Sequence, residues 1–280
     1  MHFRVRSELD YQVNDDCTLI LAVEAAAAEG QKVIEETFTA SPGMATGQTW
    51  TAAESGNRYR RLRLGPGSYR FRYEALVDVV PLYADPESVP EVPVADLPPE
   101  TLPQLYPSRF CQSDRLARFA LRRFGTLPRG HERVSAICNW IRTNVDYLVG
   151  ASTPMTSAYD TFSLRAGVCR DFAHLGITFC RALGIPARFV SCYSWQLSPQ
   201  DYHAVFEAYL GGRWYLFDAT RSAPLDGLIR IAVGRDAADS AFATYFGAMT
   251  PTGMAISVTR DANLGIAEQW TTKAVSVSGV

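Results

Sequence analysis

The stretch Gly167-Val168-Cys169-Arg170-Asp171-Phe172-Ala173-His174-Leu175-Gly176-Ile177-Thr178-Phe179-Cys180-Arg181-Ala182-Leu183-Gly184-Ile185-Pro186-Ala187-Arg188 decides how this chain reads. It predicts a helix that begins near Cys169 and runs to about Leu183, closed by Gly184 with Pro186 beyond. Cys169 then falls in the first turn. The unpaired N–H groups and the dipole at that end of a helix favour a thiolate over a thiol, and the thiolate is the nucleophilic form. Arg170 and Asp171 read as first-turn helix residues, Asp171 being favourable to the dipole.

Downstream, strands are expected over 187–195, 203–210 and 213–218, the last two joined by Gly211-Gly212. A two-residue Gly-Gly turn makes this a hairpin in which Leu210 faces Arg213. In that register His203 faces Thr220 and Asp218 faces Val205, so His203 and Asp218 share a face as diagonal neighbours, with Cβ atoms about 7–8 Å apart. An imidazole beside a thiol takes its proton, and a carboxylate beside the imidazole fixes its tautomer and stabilises its charged form. Cys169, His203 and Asp218 are therefore the candidate catalytic residues. His174 follows Cys169 by five positions, about 140° around the helix, and is expected to pack or bond on the far side. The plainer alternative takes His203 as a strand residue and Asp218 as a turn acid. One oxyanion donor is available in the Cys169 N–H. The second stays open among Trp140, Tyr147 and the Tyr159 segment.

At these residues the chain resembles the transglutaminase-like superfamily of papain-like cysteine enzymes. The resemblance rests on 167–173, on Ala182-Leu183-Gly184-Ile185-Pro186-Ala187-Arg188, on Asp201-Tyr202-His203-Ala204 and on Trp214-Tyr215-Leu216-Phe217-Asp218-Ala219-Thr220. It covers about residues 113–225 and, more loosely, the whole layout, which is similar to bacterial members with an N-terminal β domain. It implies an α+β fold whose cysteine-bearing helix packs on an antiparallel sheet, with Cys169 as nucleophile, His203 as acid and base, and Asp218 as orienter. Members include cross-linkers, peptidases, deamidases and peptide-glycan amidases, and some have lost activity. Animal cross-linkers use calcium, but no EF-hand-like loop or acidic cluster stands here, so no metal and no cofactor are expected.

Ahead of this core, eight of the 16 prolines fall between Pro81 and Pro107, a segment that also carries five acidic residues and one basic one through residue 112. Such a stretch favours extended backbone and reads as a connector. The division expected is 1–80, an N-terminal β-rich, sandwich-like domain; 81–112, the connector; and 113–280, the core. Within 1–80, strands are expected over 2–7, 18–24 and 31–39. Arg58–Leu64 and Ser68–Val80 read as a hairpin across Gly65-Pro66-Gly67, with Arg58, Arg60, Arg70 and Arg72 on one solvated face. The Ala25–Ala28 run is compatible with helix. In the core, Ser113-Asp114 reads as the start of a helix to about Arg123, and Val134, Ile137, Cys138, Ile141 and Val145 form an amphipathic stripe.

The net charge of −2 and the absence of a strongly basic segment exclude a nucleic-acid footprint. The start Met-His-Phe-Arg-Val-Arg-Ser-Glu has charges where a signal peptide needs apolar residues, and no run reaches the roughly 18 apolar residues of a span, so a cytoplasmic protein with no membrane partner is expected. Six dispersed cysteines without a C-x-x-C pair fit reduced thiols. The function expected is cysteine-dependent acyl transfer on peptide or side-chain amides through a thioester, leaning to hydrolysis, with a peptide or protein as substrate. The alternatives are amine transfer to glutamine, as in cross-linking, and a non-catalytic scaffold on the same fold. Oligomeric state is not legible.

Overall fold

The computed structural model describes residues 1–43, 47–261 and 270–277. The N-terminal half builds two antiparallel sheets from β1 (His2–Val13), β2 (Cys17–Leu21), β3 (Gln31–Ser41), β4 (Gln48–Thr51), β5 (Arg58–Leu64) and β6 (Gly67–Val79). Alternate residues of β1 and β6 point inward, among them Phe3, Val5, Phe71, Tyr73 and Val77, and meet Leu19, Leu21, Leu62 and Leu64 of the facing sheet. This is the period of two that a half-buried strand requires.

The expected hairpin across Gly65-Pro66-Gly67 does not form. β6 pairs with β1 and β3, whereas β5 pairs with β2 and β4 in the other sheet, so the short turn crosses the sandwich instead of returning along one sheet. Both arrangements have the same alternation and the same turn residues; only long-range pairing separates them. The four arginines consequently divide. Arg58 and Arg60 pair with Glu24, and Arg58 also with Glu36, while Arg70 and Arg72 pair with Asp10 and Glu8. The 25–28 run is not helical.

The connector packs down. It contains β7 (Leu82–Ala84) and short 3₁₀ turns, and it buries Val89 and Leu97, the latter against Tyr209 and Trp214. The second half comprises α1 (Ser113–Phe124), α2 (His131–Asn144), β8 (Asp146–Tyr147), α3 (Ala158–Leu164), β9 (Ala166–Gly167) and α4 (Cys169–Ala182). A sheet follows, formed by β10 (Ala187–Ser194), β11 (His203–Leu210), β12 (Arg213–Phe217) and β13 (Leu228–Gly234) in the order β12-β11-β10-β13, antiparallel throughout. The end of the chain, expected to belong wholly to this core, divides. β14 (Ala243–Phe246) pairs with β2, β15 (Met249–Arg260) pairs with β1, and β16 (Ala274–Ser276) pairs with β7. Residues 243–260 thus complete the N-terminal sheets.

The core sheet is covered on both faces. Val190, Cys192, Val205 and Ile231 join the sandwich core, while Phe189, Phe206, Ala208 and Phe217 pack with the helices. α4 sits close on β11 because position 176 is glycine: a Cβ there would lie 2.5 Å from the Phe206 ring. β13 is the sheet's edge, and the N-terminal domain caps it with side-chain amides. Gln31 Nε2 donates to the Arg230 carbonyl at 2.9 Å and its Oε1 accepts the Arg230 N–H at 2.7 Å. Asn57 does the same at Val233, at 2.7 and 2.8 Å. Two amides therefore stand in for a missing strand and satisfy an edge that would otherwise be open to pairing.

Gln31→Leu retains the side-chain bulk but strands the buried Arg230 N–H, while the Arg230 carbonyl still accepts the Ala26 N–H at 2.9 Å. Chemical denaturation should show a loss of about 1–3 kcal/mol, with near-zero change for the neighbouring surface substitution Lys32→Gln.

Candidate active site

Cys169 is the first residue of α4 and is half-buried. The turn is held from both sides. The buried Asp171 accepts the Val168 N–H at 2.9 Å. A side chain at Gly167 would put its Cβ 2.7 Å from that of Asp171, so this turn requires glycine. Arg170 pairs with Asp171 at 2.9 Å and donates to the Thr153 carbonyl at 2.7 Å. The expected first-turn role of Asp171 is therefore observed, with Arg170 tying the turn to the preceding loop.

β11 and β12 pair in the expected register, Leu210 opposite Arg213 through Phe206 opposite Phe217. His203 and Asp218 come out on one face, His203 Nε2 lying 3.0 Å from Asp218 Oδ2. The Cys169 side chain also reaches the ring, adding a hydrogen bond and charge that favour the protonated imidazole. Asp218 is itself fixed: Thr220 donates to Oδ1 from its N–H at 2.8 Å and its hydroxyl at 2.7 Å, and the Ser222 N–H donates to Oδ2 at 3.1 Å. Thr220 and Ser222 were not singled out from the sequence. The Asp-x-Thr pattern closing an apolar strand, a local side-chain-to-backbone turn, is the signal that marks them.

Burial works against the charged forms of both partners. For His203 the hydrogen bond and charge of Asp218, then those of Cys169, outweigh burial and push the ring up to about 10. For Asp218 burial is outweighed by His203 and Thr220, which hold the carboxyl below the usual range. The five other cysteines are buried, and burial pushes their thiols up, that of Cys111 to about 12.

Of the three suggested second donors, Tyr147 reaches the site. Burial and the charge of the neighbouring Cys169 sulfur push its phenol up to about 12. Trp140 packs instead against Phe119 and Phe162, and Tyr159 lies under the Arg115 guanidinium, 3.6 Å from ring centroid to carbon. His174 is on the far side, as expected. It is buried between Phe110 and Phe189, accepts the Ala237 N–H at 3.1 Å, and is pushed down to about 3, chiefly by burial. Among the described residues, no three His, Cys, Asp or Glu side chains gather so as to hold a metal ion, and no helix is long and apolar enough to cross a membrane.

The raised His203 value has a direct stability consequence. Protonated His203 stabilises the fold fully below about pH 6.5, and the contribution fades as pH rises towards about 10. A ring titration by NMR should place the midpoint well above 6.5, and Asp218→Asn should lower it. A wild-type midpoint near 6.5 would contradict the assigned contacts.

Residues 119–219 match the Transglutaminase-like superfamily, and residues 1–100 match the bacterial transglutaminase N-terminal domain. The crystal structure of a candidate cysteine protease from Cytophaga hutchinsonii is 41% identical, with a TM-score of 0.91, covering 99% of this chain and 97% of that one. The periplasmic domain of TgpA from Pseudomonas aeruginosa is 17% identical, with a TM-score of 0.40 over 79% of this chain and 90% of that one. The Uncharacterized protein ML0607 of Mycobacterium leprae is 34% identical over 130 residues, 41% of this chain and 45% of its own length, so this chain matches under half of that relative.

Proposed function

We propose a reaction on the premise that the chain belongs to the transglutaminase-like superfamily, in its bacterial form with an N-terminal β domain. The reaction is acyl transfer from a peptide or side-chain amide to water by way of a Cys169 thioester. The observation that carries it is the continuous contact of the Cys169 side chain with His203 and of His203 with Asp218.

In this reading His203 holds the thiol proton as imidazolium, a state that Asp218 supports. Cys169 Sγ attacks the amide carbonyl carbon, and the oxyanion is met by the Cys169 N–H and the Tyr147 hydroxyl as donors. The C–N bond breaks as His203 gives its proton to the leaving amine. Neutral His203 then takes a proton from water, whose oxygen attacks the thioester carbonyl carbon; the C–S bond breaks, the carboxylic acid leaves, and the proton taken from water stays with the Cys169–His203 pair. Water as acceptor is supported by the likeness along the whole chain to the Cytophaga hutchinsonii protein described as a candidate cysteine protease. Six free thiols fit a reducing compartment, in keeping with the cytoplasm.

A fluorogenic amide offered with and without a primary amine tests the acceptor: hydrolysis is expected in both cases, and covalent incorporation of the amine would overturn water in favour of cross-linking. Cys169→Ser should reduce turnover by at least about a thousandfold, and Tyr147→Phe should reduce kcat by about a hundredfold with a smaller effect on KM.

A further inference from the structure

Large apolar side chains exposed singly are ordinary, but four of them stand in one short segment beside Cys169: Tyr147, Leu148, Val149 and Met155, with Val149 81% and Met155 67% exposed. No residue from 147 through 157 is charged. The segment is pinned to both sides of the nucleophile. Tyr147 pairs with Gly167, the Leu148 N–H donates to the Gly167 carbonyl at 3.0 Å, and Arg170 holds the Thr153 carbonyl at 2.7 Å. Its own turns close with the Ala151 N–H on the Leu148 carbonyl at 3.2 Å and the Thr153 N–H on the Thr156 hydroxyl at 2.9 Å. At the inner end, Tyr147 lies opposite Gly167, beside Cys169, whose charge acts on its phenol. An uncharged, apolar and anchored surface thus runs outward from the sulfur.

We infer that residues 147–155 form the wall that selects the substrate, and that the substrate class is a peptide or protein carrying a bulky apolar side chain next to the scissile amide. This deepens the acyl-transfer reading and rests on it. An apolar neighbour covers Leu148, Val149 and Met155 and removes water from them, whereas a charged neighbour loses hydration with no opposite charge in the segment to replace it. The Arg170 guanidinium does not alter that balance, being engaged by Asp171 and the Thr153 carbonyl.

The test uses the whole protein and three irreversible probes, the chloromethyl ketones of acetyl-Leu-Leu, acetyl-Asp-Asp and acetyl-Lys-Lys, with adduct formation on Cys169 followed by mass spectrometry and normalised to iodoacetamide. The Leu probe should react at least about tenfold faster than either charged probe, the scale expected for an apolar subsite. In the Leu148→Ser/Val149→Ser double variant that ratio should fall towards one. Equal rates for all three probes on the wild type would overturn the inference without any variant, and so would an undiminished ratio in the double variant. If iodoacetamide modifies Cys169 no faster than the other five thiols, the failure is of the underlying reaction, and the substrate assignment falls with it.

Discussion

The contact between His203 and Asp218 depends on the register of β11 against β12. Because side chains alternate across a strand, sliding that pair by one residue would send one of the two to the opposite face. The Gly211-Gly212 turn prevents the slip, both glycines having positive φ, at 54° and 85°, where other residues are strained. Packing reinforces the turn. Phe206 and Phe217 are paired across the ladder and stacked with ring centroids 5.6 Å apart, and Phe206 fills the space that Gly176 leaves on α4. The same ring therefore sets both how the hairpin pairs and how close the cysteine-bearing helix approaches it.

A sheet buried on two faces explains why the N-terminal domain is inseparable from the site. The loop entering β11 is held by that domain: Ser7 and Tyr202 hydroxyls lie 2.6 Å apart, and the Val258 N–H donates to Gln200 at 2.9 Å. Tyr202, stacked on Phe242 at 4.5 Å, immediately precedes His203. Together with the amide caps of Gln31 and Asn57 on β13, these contacts make the sandwich a rigid backing for the strand that carries the imidazole.

What could be read from the residues follows the range of the forces involved. The helix from Cys169, its stop at Gly184, the Gly-Gly hairpin and the His203–Asp218 diagonal all rest on interactions within a few residues, and the observed structure agrees with each. Long-range pairing was not legible. The turn at 65–67 suits a hairpin as well as a crossing between sheets, and nothing in 249–260 marks it as the partner of the first strand. Tyr147 shows the same limit: its approach to Cys169 depends on the two-residue parallel pairing of β8 with β9, too short to leave a pattern. The donors around Asp218 are a different case, since Thr220 and Ser222 lie in plain sequence view as a side-chain turn.

The placement of six thiols carries the last step. Five sit where burial raises the energy of a thiolate, so their sulfur stays protonated and enclosed. Cys169 has different surroundings: a helix N-terminus, a half-buried position and an imidazole that Asp218 keeps charged. Burial alone would discharge that imidazole, as it does for His174, which lies on the same helix but has no carboxylate against its ring. The difference between the two buried imidazoles thus comes down to Asp218, placed by the hairpin register, and to Thr220 and Ser222, which keep its carboxylate aimed at His203.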